Sequence, residues 1–355
     1  MIRTRLRGRG RIGSGLNPFA QAGFFAPLKS SLTLVRGIGV ATFTRATGAT
    51  VMGYGPTANL ADGMTLLTVD AGEARFSGAR RISANNWSSF FADGSAIPDA
   101  TLKGYLAEGA ATNYFLQSGA PATQSITLGV GTYTLGNILG AGTITSSAGT
   151  ATASGYGVAD ATTPNTIVVT VAGTVVFTVT GTVTQAQVSN TPFEVSYIPT
   201  TTVAVTRNAD VENYPTAGNI LSASGSIYLE FTPNHAATVA TYLCRSFVDG
   251  SNFTLLWHDG TNLIFRKHIA GINYDATIAN AFASGTRYKI AVTWGSAGTT
   301  ITLNGVMGTP NANTTATPIA ATLEFCVPAQ ASINIRNPRI WQIPLPAATL
   351  QAITL

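Results

Sequence analysis

The sequence predicts an all-β protein: an extended N-terminal arm, a small β module, a β-sandwich and a C-terminal jelly-roll sandwich. Three observations carry that expectation. Short runs alternate Val, Ile and aromatic residues with Thr and Ser, turns containing Gly interrupt them every several residues, and no convincing helical period appears before Leu116. With 355 residues the chain has room for two or three domains, each with its own core. Hydrophobic residues make up 45% but are dispersed, and no stretch approaches the ~20 apolar residues of a bilayer-crossing helix. A soluble protein with no membrane partner is expected. Only 10% of residues are charged, so solubility must rest on hydroxyls and turns. That is tolerable where partner subunits cover much of the surface, and an assembly is expected.

Residues 1–28 form the arm. Residues 1–36 hold seven positive charges and no acid, which leaves the other 319 residues at −2 of the formal +5. Arg3, Arg5, Arg7, Arg9 and Arg11 fall on every second position, a spacing that puts all five guanidiniums on one face of an extended chain. Phe19, Phe24 and Phe25 stand between helix breakers as aromatic anchors. A solvated tail, a docking arm that orders on a partner and a secretory signal are the three readings. Asn17, Pro18 and Gln21 interrupt the apolar core that a signal needs, whereas docking accounts for the alternation and the Phe pair. The body adds no second basic patch, which argues against nucleic acid.

Residues 29–118 read as the first module, with strands at Leu32–Val35 and Val40–Phe43 and turns at Asp62-Gly63 and Asp93-Gly94. Arg45, Glu73, Arg75 and Glu108 are isolated charges among small and apolar residues. Such groups survive burial when paired, so an internal network is expected. Trp87 lies in a polar stretch and is expected to be an exposed contact.

Residues 119–206 form the Thr-rich sandwich, with strands at Ser125–Leu128, Thr132–Leu135, Thr166–Val171 and Thr174–Val179 and a two-residue hairpin link at Ala172-Gly173. From Gln117 to Thr206 only Asp160 and Glu194 carry charge, and His, Cys, Lys and Arg are absent. Acid-base and metal chemistry need such groups to converge, which these ninety residues cannot provide.

Residues 207–355 give the most legible hairpins. Asp249-Gly250-Ser251-Asn252, Asp259-Gly260-Thr261-Asn262 and Asn304-Gly305 separate alternating strands, as in a jelly roll. Glu230 and Glu324 could face each other as hydrolytic acids, but pairing with Arg266 or Arg336 is as reasonable. Asp249 and Asp259 read as turn caps, too poor in carboxylates for a dedicated calcium site. The three histidines lack zinc spacing, so no metal, cofactor or catalytic residue is expected. Cys244 and Cys326, 82 positions apart, read as buried thiols rather than a disulfide. Trp87, Trp257, His258, Asp259, Tyr274 and Trp294 are the candidates for stacking and hydrogen bonding to a sugar, although Trp257 and Trp294 alternate with apolar neighbours as core residues do.

Phe43-Thr44-Arg45-Ala46-Thr47, Gly72-Glu73-Ala74-Arg75-Phe76 and the phrase from Leu106 through Thr112-Asn113 to Ser118 occur in the order found in N-terminal modules of tailed-phage head spike or fibre proteins. Ser196-Tyr197-Ile198-Pro199 through Thr206-Arg207-Asn208-Ala209-Asp210 is similar to the phrase joining a sandwich to a concanavalin-A-like or laminin-G-like domain in such proteins. The resemblance covers residues 30–355. One departure is Ala110-Ala111, where a second acid or an Arg would precede Thr112-Asn113. The resemblance implies a virion structural protein, assembled in the host cytoplasm and usually multimeric, with a trimer expected. Its partners would be capsid or tail proteins and weakly held bacterial surface glycans. The rival classes are a tailspike-like glycan depolymerase and a capsid decoration protein with no ligand.

Overall fold

In the computed structural model, residues 18–237, 240–325 and 332–355 are described; among them the chain forms six sheets, paired antiparallel throughout, and one short α-helix. The all-β expectation is met. Arg3, Arg5, Arg7, Arg9, Arg11 and Cys326 lie outside the described residues.

Two large sheets stack to form the C-terminal sandwich. One runs Val306–Met307, Gly298–Leu303, Tyr288–Gly295, Gly225–Pro233, Ser332–Trp341, Gly104–Glu108 and Arg75–Ser77, with Phe24–Phe25 also paired to Ser332–Trp341. The other runs Thr42–Thr44, Val211–Pro215, Thr322–Phe325, Thr241–Asp249, Asn252–His258, Asn262–Ile269 and Ile272–Ala279. Phe231, Phe265, Trp294, Ile301 and Phe325 fill the space between them. The predicted turns are present. Asn304 and Gly305 take φ of 45° and 79°, the pair of left-handed residues that a tight hairpin demands.

The structure departs from the expected domain division at its first boundary. Gly104–Glu108 and Arg75–Ser77 extend one sheet of the C-terminal sandwich and Thr42–Thr44 extends the other, so residues 29–118 and 207–355 share both sheets. They also share one core, continuous from Val51, Phe76 and Tyr105 to Ile333 and Ile335. Gly104, at φ 103°, makes the join possible: a Cβ there would stand 2.4 Å from the Ile335 carbonyl oxygen. Leu32–Val35 forms no strand, and Leu32 and Leu34 pack on that core from an irregular segment.

The arm boundary also moves. Phe24 is fully buried, pairs with Ile340 and meets Tyr214 edge-on at 5.2 Å, while Phe25 lies under the Arg339 guanidinium at 4.0 Å. Phe19 packs on Tyr228 and on Arg339. These three aromatics are therefore held by the protein's own C-terminal sheet rather than offered to a partner.

The Thr-rich segment has its own core around Phe115, Tyr133, Ile144, Ile167 and Phe177. Ala172-Gly173 is not a hairpin. Asn165–Val171 pairs with Gly131–Gly140 in one sheet, whereas Gly173–Thr180 pairs with Gln124–Leu128 in the other, so the chain crosses between layers at that point. A Cβ on Gly173 would meet the Ala151 backbone nitrogen at 2.5 Å, which is why glycine stands at the crossing. Sequence analysis did not foresee the helix Ala347–Thr354, which buries Leu350 and Ile353 in a small cluster with Tyr228 and Trp341. No helix among the described residues is long and apolar enough to cross a membrane.

Candidate functional site

Two assemblies of side chains stand out, one buried and one on a surface. The buried one lies where the three segments of the chain meet. Arg75, on Arg75–Ser77, donates from Nη1 to Glu108 Oε2 at 2.8 Å, to Ser196 Oγ at 2.6 Å and to the Thr50 carbonyl at 2.9 Å, and from Nη2 to Asp210 Oδ2. Arg45 donates to Asp210 Oδ1 at 2.8 Å, and Arg207 donates to Glu108 Oε2 and the Gly109 carbonyl. All five ionic residues are shielded from solvent. Burial pushes the Glu108 carboxyl up, yet Arg207 and Arg75 together hold it well below the usual carboxylate range. For Arg207, burial and the neighbouring Arg75 win and its pKa falls.

The expected internal network is thus present with a changed membership. Arg45, Arg75 and Glu108 belong to it. Glu73 instead accepts from Arg81 at 2.7 and 2.9 Å and from the Trp87 indole N–H at 3.0 Å in a separate cluster. Asp210 and Arg207, from the phrase Thr206-Arg207-Asn208-Ala209-Asp210, complete the network. Their phrase was visible in the sequence, but only the fold brings it to Glu108.

The surface assembly occupies the outer face of the sheet around Asn252–His258. Strand alternation sends Phe253, Leu255 and Trp257 outward and Thr254, Leu256 and His258 inward. Register then builds three rows. Tyr242 and Trp257 stack at 5.7 Å; Arg245, Leu255 and Arg266 lie side by side; Phe247, Phe253 and His268 form a stacked row at 6.1 and 4.4 Å. Glu324 holds Arg245 at 2.7 Å, and Asp275 holds Arg266 through two bonds of 2.7 and 2.8 Å. Each fixed guanidinium covers an aromatic ring, Arg245 over Phe247 and Arg266 over Trp257. Tyr242, Trp257, Phe253 and His268 are half-buried and Phe247 is exposed. The Trp257 Nε1–H finds no acceptor among the described residues.

The structure distributes the six sugar-contact candidates rather than gathering them. Trp257 is on this face. Trp294 and His258 are core residues, and His258 donates from Nε2 to the Asn280 carbonyl at 2.6 Å and accepts from the Gly260 amide at Nδ1. Trp87 is buried on Phe76, which corrects the expectation of an exposed ring. Tyr274 pairs with Lys267 on the inward parity of the sheet, and Asp259 caps its turn by accepting from the Thr261 and Asn262 amides. Tyr242, Phe247, Phe253 and His268 were missed; the alternation of Phe253 with Trp257 in Asn252–His258 was the available signal, whereas the register shift after Tyr242 that brings Tyr242 and Phe247 to one face is set by pairing. Glu230 and Glu324 are on different sheets. Glu230 is bound by Arg336 at 2.6 Å and Glu324 by Arg245, so they do not face each other as an acid pair.

No family model and no curated protein matches this chain. Among solved structures it is similar to a heptameric SAP-like pentraxin from Limulus polyphemus (10% identity, TM-score 0.32, 40% of this chain and 72% of that one). It is also similar to the CBM40 of a Ruminococcus gnavus IT-sialidase bound to α2,3-sialyllactose (12%, TM-score 0.35, 40% and 92%). A third is the botulinum neurotoxin serotype D binding domain (12%, TM-score 0.35, 41% and 40%), of which the match spans well under half.

Proposed function

We propose that this chain is a non-catalytic structural protein of a bacteriophage virion, a multimeric head fibre or spike whose N-terminal region fastens it to capsid or tail proteins. It displays sandwich faces that hold bacterial surface glycans weakly and many times over, so that avidity compensates for poor single-site affinity. The assignment to a virion, and to a trimer, rests on the sequence phrases around Arg45, Arg75, Glu108 and Arg207. The observation that carries adhesion is the outer face of Tyr242, Trp257, Phe253 and His268: rings pre-set by arginine–carboxylate pairs offer flat stacking surfaces at little ordering cost. The absence of catalysis is supported by the commitment of Glu108, Glu230 and Glu324 to arginine partners.

Two measurements test the reading. A glycan array probed with the full chain and with a Trp257→Ala/Phe253→Ala double variant should show at least one glycan whose signal the double variant loses. Particles assembled with a chain lacking residues 1–17 should be bare by electron microscopy; full decoration would remove the docking role of the arginine arm.

A further inference from the structure

A cleft of about 710 Å³ opens where the first module, the Thr-rich sandwich and the C-terminal sheet meet, far larger than a packing defect and within the roughly 300–1,000 Å³ of small-ligand sites. Its floor is a directed chain of hydrogen bonds. Asn334 Nδ2 donates to Asn234 Oδ1 at 3.1 Å, Asn234 Nδ2 to Ser332 Oγ at 3.2 Å, and Ser332 Oγ to Glu108 Oε1 at 2.8 Å. The chain starts from the ionic network, which fixes Glu108, and ends at Asn334 Oδ1. That atom is buried, Asn334 being only 1% exposed, and it has no hydrogen-bond partner among the described residues. Glu194, which also lines the cleft, accepts from the Asn137 amide through Oε1 at 2.6 Å, and among the described residues no donor reaches its Oε2. Met52, Leu66 and Leu139 supply an aliphatic side that is 40–50% exposed.

The geometry points to a second glycan-binding site in this cleft, separate from the aromatic outer face, that takes a hydroxyl-rich oligosaccharide. The unfilled groups, Asn334 Oδ1 and Glu194 Oε2, are acceptors, and sugar hydroxyls are the matching donors. The C–H face of a pyranose suits the Met52 and Leu66 side. An apolar protein segment seated here would cover the aliphatic side but leave Asn334 Oδ1 unpaired, which disfavours it. The open edge of Thr65–Val69, paired only with Ala49–Gly53, makes pairing with a second copy of the chain the competing occupant.

The full chain and the Trp257→Ala/Phe253→Ala variant would be screened on an array of bacterial O-antigen and capsular oligosaccharides, and the strongest ligand that the variant retains titrated against the parent chain by calorimetry. Leu139→Arg, on the exposed side, should weaken that ligand at least tenfold with an unchanged melting temperature, and Asn334→Leu should weaken it as much. The Trp257→Ala/Phe253→Ala variant should leave this affinity within twofold. Three results would overturn the site: affinity retained within twofold in Leu139→Arg, no oligosaccharide bound by the parent chain at millimolar concentration, or a fall in sedimenting mass in Leu139→Arg. The last would assign the cleft to subunit contact.

Discussion

Arg75 Nη1 lies 2.8 Å from Glu108 Oε2 with both side chains enclosed, and the pair joins the edge of a C-terminal sheet to the segment that carries Ser196. Neutralising Glu108 would leave Arg75 and Arg207 facing each other with Asp210 as the only counter-charge. Glu108→Gln is expected to cost about 3–5 kcal/mol, the range for breaking a buried pair on one side. Denaturant midpoints at constant slope measure it; a loss below about 1 kcal/mol would show the network to be incidental.

Glu212 should make stability fall as pH rises. Its side chain is buried with neither oxygen accepting a hydrogen bond, the neighbouring Tyr214 hydroxyl donating to the Leu32 carbonyl instead, and burial pushes its carboxyl up to about 8. A raised folded pKa means that the folded state binds the extra proton, so the contribution is complete below the unfolded value near 4.5 and is lost as pH passes through 8. Glu108 acts oppositely, being depressed: its contribution is present above the unfolded pKa and lost in acid. Glu212→Gln should flatten the fall of a melting-temperature profile between about pH 5 and 8 and leave the limb below pH 4 unchanged.

Phe24 tests whether residues 18–28 belong to the fold. Phe24→Ala removes a fully buried ring beside Tyr214 and Phe325 and should destabilise the chain by about 3–5 kcal/mol. Removal of residues 1–28 should therefore lower the melting temperature, because it strips the Phe24–Phe25 pairing from Ser332–Trp341. An unchanged melt would return these residues to the arm.

Cys244 should resist alkylation in the folded protein. Burial pushes its thiol up to about 12, so thiolate is scarce at neutral pH. Rapid labelling by iodoacetamide without denaturant would contradict the packing around Leu256.

Glu230→Gln combined with Glu324→Gln should leave any polysaccharide-cleavage signal at background, as in the parent chain. Loss of a measurable activity in the double variant would instead establish the depolymerase reading.

Much of the fold was legible because strands and tight turns are local. Asp259-Gly260-Thr261-Asn262 and Asn304-Gly305 specify their own geometry through side-chain caps and left-handed backbone, and the meander from Thr241 to Ile269 follows from them. The isolated charges Arg45, Arg75 and Glu108 also announced burial in company. Tertiary structure alone decided which partners they found. Asp210 is 135 positions from Arg75, and Arg207 is 99 from Glu108. It also decided that Gly104–Glu108 would complete the C-terminal sheet, that Ala172-Gly173 would cross layers rather than turn back, and that Trp87 would be enclosed by Phe76 and Glu73. The physical reason is the same in each case. Alternation fixes which side chains share a face of a strand, but the strand that comes to lie beside it is chosen by the burial and pairing of the whole chain.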